Sequence, residues 1–353
     1  MRPHTFTVAG LGLLKNDKKE QTMKAIKILK PHQLEIADTA IPTPGARDVL
    51  IKVIASGICG TDVHIFRGEY LGTYPVIPGH EFAGVVEQAG AQVTRFKPGD
   101  HVAIEPNISC DNCANCLSNR QNFCLNWQGI GVTLPGGMAQ YAVAPEKAVF
   151  DIGNLPFEAG AFMEPHSCVL HGVERLNPAM ADQIAIIGAG PIGCLLLQAL
   201  RLRGASHVTM ADKNSARLET ARELGADILL DDLNALTLDY YDAVVDATGV
   251  IPLMSRTIEF ARRGGRVLLF GVPPNGVKIA FDAFAIFRKG LTLLSSYTSV
   301  RNSLQAVELL ANGCVRVDGL ISHRLPLADF QRGVEIIEGG LEQARKVVIV
   351  PNE

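Results

Sequence analysis

The stretch that most restricts the fold is residues 182–214, DQIAIIGAGPIGCLLLQALRLRGASHVTMADKN. An apolar run leads into Gly188-Ala-Gly190-Pro-Ile-Gly193, which is followed by an apolar segment of helical length and a second strand-like run before Asp212. Strand, glycine-rich turn, helix and strand in this order are typical of a nucleotide-binding βαβ unit. The sequence therefore predicts an α/β fold with a Rossmann doubly wound parallel sheet.

Each glycine of this turn has its own use in binding a dinucleotide. Gly188 allows the sharp turn, Gly190 lets backbone N–H groups approach the pyrophosphate, and Gly193 lets the helix pack closely on the strand. Ile192 lies in the same turn and is assigned to cofactor binding with the glycines.

The choice between NAD and NADP depends on the residues after the second strand. Asp212, nineteen residues after Gly193, is placed to accept hydrogen bonds from the adenosine ribose, and its charge would repel a 2′-phosphate. This favours NAD, although Lys213 and Arg217 leave NADP open.

Helix-like and strand-like segments alternate beyond this unit as far as residues 291–296. Thr248 ends the strand-like run YDAVVDATG, and Val272 lies at the end of the next one. Because ligands gather beyond the carboxyl ends of parallel strands, we expect Thr248 and Val272 beside the cofactor.

The pattern changes before residue 150, where runs such as VLIKVIASG and FAGVVEQAG alternate with turns rich in proline and glycine. Such a pattern predicts a mainly β domain. We assign residues 1–165 and 310–353 to this domain, with a cysteine-rich lobe at 108–124, and residues 166–309 to the Rossmann domain.

Charge and hydropathy exclude several classes of partner. Residues 1–22 lack a cleavage site for a signal peptide and are predicted to be a loose extension, so we expect a cytoplasmic protein with reduced thiols. Residues 183–200 are uncharged, but glycines and a proline in their middle argue against a membrane helix. The net charge of −3 comes without long like-charge runs. We therefore expect a small-molecule substrate, no nucleic acid and no membrane.

Four cysteines fall within the polar segment ISCDNCANCLSNRQNFC at 108–124. Their spacing is too tight for unstrained disulfides but suits a tetrahedral zinc site; a redox-active Cys-Ala-Asn-Cys pair is the weaker alternative. Four thiolates saturate zinc, so this site is predicted to be structural and not catalytic. The four are Cys110, Cys113, Cys116 and Cys124, whereas Cys168, Cys194 and Cys314 are expected in the core.

A second set of residues offers the ligand types of a catalytic zinc. Cys59 lies in GICGTDVH, His80 and Glu81 lie in PVIPGHEF, and Glu164 lies in the apolar segment EAGAFMEP. Thiolate, imidazole and carboxylate together suit a zinc that keeps an open position. Each residue alone could equally be a core or loop residue.

These motifs resemble the zinc-dependent medium-chain alcohol dehydrogenase family, in its polyol (sorbitol/xylitol-type) and threonine dehydrogenase branch, over about residues 23–350. The resemblance implies a GroES-like catalytic domain beside the Rossmann domain and a homo-oligomer, dimer or tetramer. It implies two zinc ions per subunit and hydride transfer between a secondary alcohol of a small polyol and NAD. A diol or a threonine-like amino alcohol is the alternative substrate. Two further hypotheses are an NADP-linked reductase and a non-catalytic protein that binds zinc and a nucleotide.

The resemblance also implies roles for single residues. The glycine turn with Asp212 and Arg217 matches the NAD-binding site of the family. Thr61 and His64 would supply the hydroxyl and the imidazole of a proton relay. Cys59 and His80 would bind the catalytic zinc with Glu81 or Glu164 as third ligand, and a Glu164 that is not a ligand would hold the water of the zinc.

The chain departs from the sorbitol dehydrogenases at the substrate side. Ile65 stands where those enzymes carry an aromatic contact, and Thr298 and Ser299 replace their Arg-Tyr pair. His166 stands where a leucine is usual, which predicts an imidazole beside the pocket. The identity of the polyol is therefore left open.

Overall fold

The structure, a computed structural model, describes residues 21–353. The loose extension predicted for residues 1–22 therefore lies almost wholly outside the described residues. The strands, in chain order, are β1 (Thr22–Lys30), β2 (Gln33–Ala40), β3 (Asp48–Gly57), β4 (Glu81–Ala89), β5 (His101–Ile104), β6 (Asn107–Ile108), β7 (Gln128–Gly129), β8 (Tyr141–Pro145), β9 (Val149–Asp151), β10 (Gln183–Ile187), β11 (His207–Ala211), β12 (Ile228–Leu230), β13 (Tyr241–Asp246), β14 (Ala261–Leu269), β15 (Thr292–Ser295), β16 (Ile321–Pro326) and β17 (Lys346–Val350). The α-helices are α1 (Gly60–Arg67), α2 (Ala114–Leu117), α3 (Phe157–Gly160), α4 (Met163–Leu176), α5 (Pro191–Leu202), α6 (Ser215–Glu223), α7 (Ile251–Phe260), α8 (Ala283–Lys289), α9 (Ser303–Ala311) and α10 (Phe330–Gly339).

One of the two large sheets is a six-stranded parallel sheet with the order β12-β11-β10-β13-β14-β15. This is the strand order of a Rossmann fold, in which the order reverses beside the first strand. The strands are apolar along their length because helices cover both faces of the sheet. The predicted doubly wound sheet is therefore confirmed.

The turn after β10 shows why the sequence needs its glycines. Gly188 has φ +105°, and a Cβ built on Gly193 would lie 1.9 Å from the carbonyl oxygen of Gly188. Helix α5 then begins directly after Gly190. The uncharged stretch 183–200 is thus divided into a strand, a turn and a helix. Within residues 21–353, no helix is both long enough and apolar enough to cross a membrane.

The other large sheet has seven strands and is mostly antiparallel, with the path β16-β17-β3-β4-β5-β9 and with β8 paired to β3. The pairing of β17 with β3 brings the end of the chain back beside residues 48–57. Buried and half-buried side chains alternate along β8, whereas β3, paired on both sides, is buried over most of its length. The two-domain fold, mainly β plus Rossmann, agrees with the sequence; the exact boundaries, 165/166 and 309/310, stay a prediction.

Two helices near the domain junction were not predicted from the sequence. Helix α1 follows β3 directly, and α4 packs on α5 and α9 as well as on β4 and β5. Helix α4 therefore contacts both the Rossmann domain and the mainly β domain. The starts of α4 and α1 carry Glu164 and Cys59, two of the four residues of the second zinc motif.

We predict that Gly193→Ala destabilises the protein and Gly190→Ala does not. The added methyl at Gly193 would overlap a backbone carbonyl, which costs about 1–3 kcal/mol or more, whereas a Cβ at Gly190 meets nothing within 4 Å. Thermal unfolding followed by circular dichroism measures the difference. Equal Tm values for the two variants would contradict this account of the turn.

Candidate active site

A cavity of about 310 Å³ opens between the mainly β domain and the Rossmann sheet. Residues from both domains line this cavity, including the predicted metal ligands, the predicted proton relay and part of the cofactor turn. The residues that line it include Cys59, Thr61, His64, Tyr70, His80, Glu81, Asn107, Trp127, Glu164, Cys168, Ile192, Thr248, Val272, Tyr297 and Thr298. A volume of this size suits a small ligand.

Three of the predicted zinc ligands meet at one end of the cavity. The Cys59 thiol, the His80 imidazole and the Glu81 carboxylate offer ligand atoms that all lie within 4.8 Å of one another. Cys59 is the N-cap residue of α1, and His80 and Glu81 stand where β4 begins. A soft sulfur, a nitrogen and an oxygen at this separation fit a zinc ion with one position left open.

Asp62 holds these ligand segments together. Its side chain is fully buried and accepts backbone N–H bonds from Cys59 at 2.9 Å and from Gly79 at 3.0 Å. Its carboxylate also lies 3.5 Å from Nδ1 of His80. A carboxylate behind a metal-binding imidazole fixes the ring and leaves the other nitrogen to the metal. The role of Asp62 in orienting the ligands was not predicted, although Asp62 lies in the motif GICGTDVH.

The field at this end of the cavity is negative. Burial alone would lower the pKa of His80, but Asp62 and Cys59 outweigh it and raise that pKa well above its ordinary value. The surroundings that favour a proton on this imidazole equally favour a divalent cation.

Lys346 at the start of β17 offsets part of this negative charge. Its ammonium forms an ion pair with the Glu81 carboxylate, and both side chains are buried. Burial would lower the pKa of Lys346, but Glu81 reverses this and raises it. The pair ties the end of the chain to the ligand cluster, and removing either partner would leave a buried charge uncompensated.

Glu164 lies outside the three-ligand cluster but faces the same cavity. Burial raises its pKa to about 7, and the nearby Glu81 and Glu105 carboxylates add to the rise. Its Oε1 accepts a hydrogen bond from the Cys168 thiol at 3.4 Å, one turn along α4. Cys168 therefore belongs to the cavity wall, and its assignment to the core was wrong. Cys194 is buried in the core as predicted, whereas Cys314 is exposed.

The proposed relay residues lie on one face of α1. Thr61 and His64 are three residues apart and both line the cavity. Nδ1 of His64 lies 2.9 Å from Oε2 of Glu69, whose carboxylate is more exposed than the imidazole. Because a carboxylate can only accept, Nδ1 carries the hydrogen and Nε2 is left to bind a second proton.

The cofactor residues predicted from the glycine turn lie at the opposite side of the cavity. Ile192, Thr248 and Val272 line the cavity, and Oγ1 of Thr248 donates to Asp246 at 2.6 Å. Asp212 lies directly beyond β11 and accepts the backbone N–H of Ala189 in the glycine turn at 2.8 Å.

Arg217 turns its guanidinium towards the C-terminal segment. Nε of Arg217 donates to the carbonyl oxygen of Ala344 at 3.0 Å, and Nη1 lies 4.0 Å from the Asp212 carboxylate. Arg217, one of the two residues that left NADP as a possible cofactor, is thus already bonded to other residues of the chain.

The four predicted lobe cysteines converge away from this cluster. The sulfur atoms of Cys110, Cys113, Cys116 and Cys124 all lie within 4.8 Å of one another. The Cys113–Cys116 and Cys110–Cys116 separations are 3.5 and 4.0 Å, far longer than a disulfide bond. They bracket the spacing of about 3.8 Å that a tetrahedral zinc with bonds of about 2.3 Å requires.

Hydrogen bonds to the Cys110 sulfur stabilise its thiolate form. Backbone N–H of Asn112 and the Asn126 side chain lower the pKa of Cys110 to about 6. Cys116 is more buried, and burial raises its pKa to about 12. An uncompensated cluster of this kind gains most from a bound cation, so the donor set fits structural zinc.

Three aromatic residues of the cavity were missed by the sequence analysis. Tyr70 follows α1, Trp127 follows the cysteine lobe, and Tyr297 follows β15. Burial is the main cause that raises the pKa of both Tyr70 and Tyr297, so both phenols keep their hydrogen. Nε1 of Trp127 donates to the side-chain oxygen of Asn107 at 3.0 Å. No local pattern marks these residues, since their proximity depends on how the domains pack.

The expectation of an imidazole beside the pocket was wrong. Ser299, which takes one position of the Arg-Tyr pair, donates its hydroxyl to Glu105 at 2.7 Å and does not line the cavity. His166 is fully buried in α4 and does not line the cavity. Burial lowers the pKa of His166 to about 4, so the ring is neutral there. Thr298, at the other position of that pair, lines the cavity.

Comparisons with known proteins fit this geometry. Residues 45–154 match the alcohol dehydrogenase GroES-like domain, and residues 191–312 match the zinc-binding dehydrogenase domain. The chain is 34% identical to D-arabinitol dehydrogenase 1 of Uromyces fabae over 94% of this chain and 97% of that protein. The chain belongs to the zinc-dependent medium-chain alcohol dehydrogenases.

Other relatives place this dehydrogenase in the polyol and threonine branch. It is 36% identical to D-altritol 5-dehydrogenase of Agrobacterium fabrum over 87% of this chain and 94% of that protein. It is 30% identical to L-threonine 3-dehydrogenase of Deinococcus radiodurans over 93% and 97% of the two chains.

A solved structure of a zinc-binding dehydrogenase from Sinorhizobium meliloti bound to NADP is similar to this dehydrogenase throughout. It superposes with a TM-score of 0.89 at 34% identity and covers 94% of this chain and all of the other. The GroES-like and Rossmann domains expected from the sequence are thus confirmed.

We predict that Asp62→Asn weakens zinc binding at the Cys59 site by about 10–100-fold, because the neutral amide no longer orients the His80 ring. Competition with a zinc-chelating dye measures the affinity. The matched control is Asp38→Asn, a change at a largely exposed carboxylate, which should leave the affinity unchanged. Equal affinities in the two variants would show that Asp62 has no such role.

Proposed function

We propose that this dehydrogenase oxidises a secondary alcohol of a small polyol or sugar alcohol to the ketose or ketone, with NAD as hydride acceptor and two zinc ions per subunit. The observation that carries this proposal is the cluster of the half-buried Cys59 thiol with the buried His80 imidazole and Glu81 carboxylate, which lines the same cavity as Ile192 and Thr248. Metal ligands and nucleotide-binding residues thus face one small space.

The bound groups would supply the chemistry that side chains cannot. Zinc lowers the pKa of a bound hydroxyl by acting as a Lewis acid, and nicotinamide accepts the hydride. The chain's own contribution is to bind both partners in one orientation and to remove the hydroxyl proton.

Thr61 and His64 are proposed to carry that proton. The Thr61 hydroxyl accepts it from the substrate side, and His64 takes it at Nε2 because Glu69 engages Nδ1. The partly exposed His64 and Glu69 then release it to solvent.

Glu81 is proposed as the third zinc ligand. Glu164 is proposed to bind the water or hydroxyl group that would occupy the open coordination position of the zinc. Glu81 lies within the ligand cluster, whereas Glu164 lies outside it and faces the cavity. A carboxyl group with a pKa near 7 can act as either donor or acceptor towards a hydroxyl at that position.

NAD is proposed over NADP because the Asp212 carboxylate remains at the end of β11. A 2′-phosphate there would meet a negative charge, and Arg217 already has Ala344 and Asp212 as partners. Higher kcat/KM with NAD than with NADP would support this choice.

A threonine-like amino alcohol or a diol is the second candidate substrate. The match to L-threonine 3-dehydrogenase over 93% of the chain supports it. Polyols are favoured because two residues that carry a phenol hydroxyl, Tyr70 and Tyr297, line the cavity.

A homo-oligomer is proposed from the edge of the Rossmann sheet. Strand β15 is the last strand of the sheet, and Phe284 and Phe287 of α8 beside it are 68% and 80% exposed. An unpaired edge and exposed aromatic rings suit pairing with a second copy, which the native mass in solution tests. The cytoplasmic location stays a prediction.

We predict that Cys59→Ala lowers polyol turnover by at least about 10²–10³-fold while leaving NAD binding intact, because a catalytic ligand is lost and the cofactor side is untouched. Absorbance of NADH measures turnover, and quenching of protein fluorescence measures NAD binding. The control is Cys314→Ala at an exposed thiol, which should behave as wild type. Full turnover in the Cys59 variant would refute the proposal.

The substrate panel should contain pentitols, hexitols, a vicinal diol and L-threonine, each with NAD and with NADP. We expect the highest kcat/KM with a polyol and NAD. A preference for L-threonine over every polyol would overturn the substrate assignment but not the zinc-dependent reaction.

A further inference from the structure

The four-cysteine lobe, residues 108–124, contacts the catalytic cavity through a residue of the other domain. Nδ2 of Asn122 donates to the backbone carbonyl of Tyr297 at 2.9 Å. The ring of Phe123 stacks on the ring of Tyr297, with centroids 6.0 Å apart and an angle of 17° between the planes. A lobe with no catalytic residue is therefore in direct contact with the wall of the cavity.

The cysteine cluster determines where this contact surface lies. Phe123 directly precedes Cys124, whose sulfur accepts backbone N–H bonds from Cys110 at 3.2 Å and from Asn126 at 3.4 Å. The Asn115 side chain donates to the carbonyl oxygen of Phe123 at 2.6 Å. The position of Phe123 thus depends on the closed lobe.

The loop that carries Tyr297 needs such support. Thr298 and Arg301 both have positive φ, +50° and +59°, which is costly for residues other than glycine, above all for a β-branched one. Such a backbone persists only where its surroundings fix it. Nδ1 of His171 binds the carbonyl of Thr298 at 2.8 Å from the α4 side, and Asn122 binds the preceding carbonyl from the lobe side.

Tyr297 brings a phenol hydroxyl to the cavity wall. Tyr70 lines the same cavity, together with Cys59 and His80. Each phenol can donate one hydrogen bond and accept another. When one hydroxyl of a polyol occupies the zinc side, a hydroxyl on a neighbouring carbon can bind this pair, whereas a simple secondary alcohol has no group to offer.

We propose that the four-cysteine lobe controls polyol selectivity, because Asn122 and Phe123 hold Tyr297 where its hydroxyl and that of Tyr70 bind a second hydroxyl of the substrate. This inference rests on the proposed polyol oxidation and deepens it. Tyr297 and Tyr70 touch the substrate, whereas Asn122 and Phe123 are positioning residues.

The test compares kcat/KM for D-arabinitol with kcat/KM for 2-butanol in the full-length, zinc-loaded enzyme. Tyr297→Phe should lower this ratio about tenfold, mainly through the KM for the polyol, because only a hydroxyl is removed. Phe123→Ala should lower the same ratio by about threefold, and the double variant should be no worse than Tyr297→Phe alone, since both changes act through one hydroxyl.

The matched control is Leu125→Ala, which removes a 73% exposed apolar side chain from the segment next to Cys124 and should leave the ratio unchanged. Zinc content of the Phe123 variant should equal that of wild type. The inference is overturned if Tyr297→Phe leaves the ratio unchanged, or if Phe123→Ala lowers both kcat/KM values equally. Absence of polyol turnover in the wild type would instead refute the proposed function and this inference with it.

Discussion

The concentration of buried acidic groups around Cys59 and His80 is the constraint on which the rest of the structure depends. Asp62, Glu81 and Glu164 are all at least nine-tenths buried there, and the buried Lys346 is paired with Glu81. Negative charges in a region of low dielectric are stable only when they are compensated. A zinc ion bound by Cys59, His80 and Glu81 would supply the missing positive charge and would also provide the open coordination position for an alcohol.

The two domains divide the work around this cluster. The mainly β domain supplies the metal ligands at the start of α1 and of β4, and the parallel sheet supplies a rigid edge for the dinucleotide. Helix α4 and the four-cysteine lobe lie between them: α4 contributes Glu164 and Cys168 to the cavity wall, and the lobe braces Tyr297. On this account a zinc site without a free coordination position still contributes to substrate choice, because it shapes a wall of the cavity.

Much of the fold followed from local signals. The glycine turn and its flanking apolar runs predicted β10, α5 and β11 because each signal lies within a few residues of the element it marks. Helices α1 and α4 were missed, α4 in part because Pro165 stands in its first turn. Had α4 been predicted, the four-residue spacing of Glu164 and Cys168 would have indicated a shared helix face. Tyr70, Trp127 and Tyr297 come from three distant segments, so only the packing of the domains brings them together. The expected pocket role of His166 depended on side-chain direction, which spacing does not determine.

The most direct test of the central claim is anomalous diffraction at the zinc absorption edge from crystals of the purified wild-type protein. The account predicts two peaks per subunit, one among the sulfurs of Cys110, Cys113, Cys116 and Cys124, and one between Cys59, His80 and a carboxylate. A single peak, confined to the four-cysteine lobe in crystals of enzymatically active protein, would contradict it.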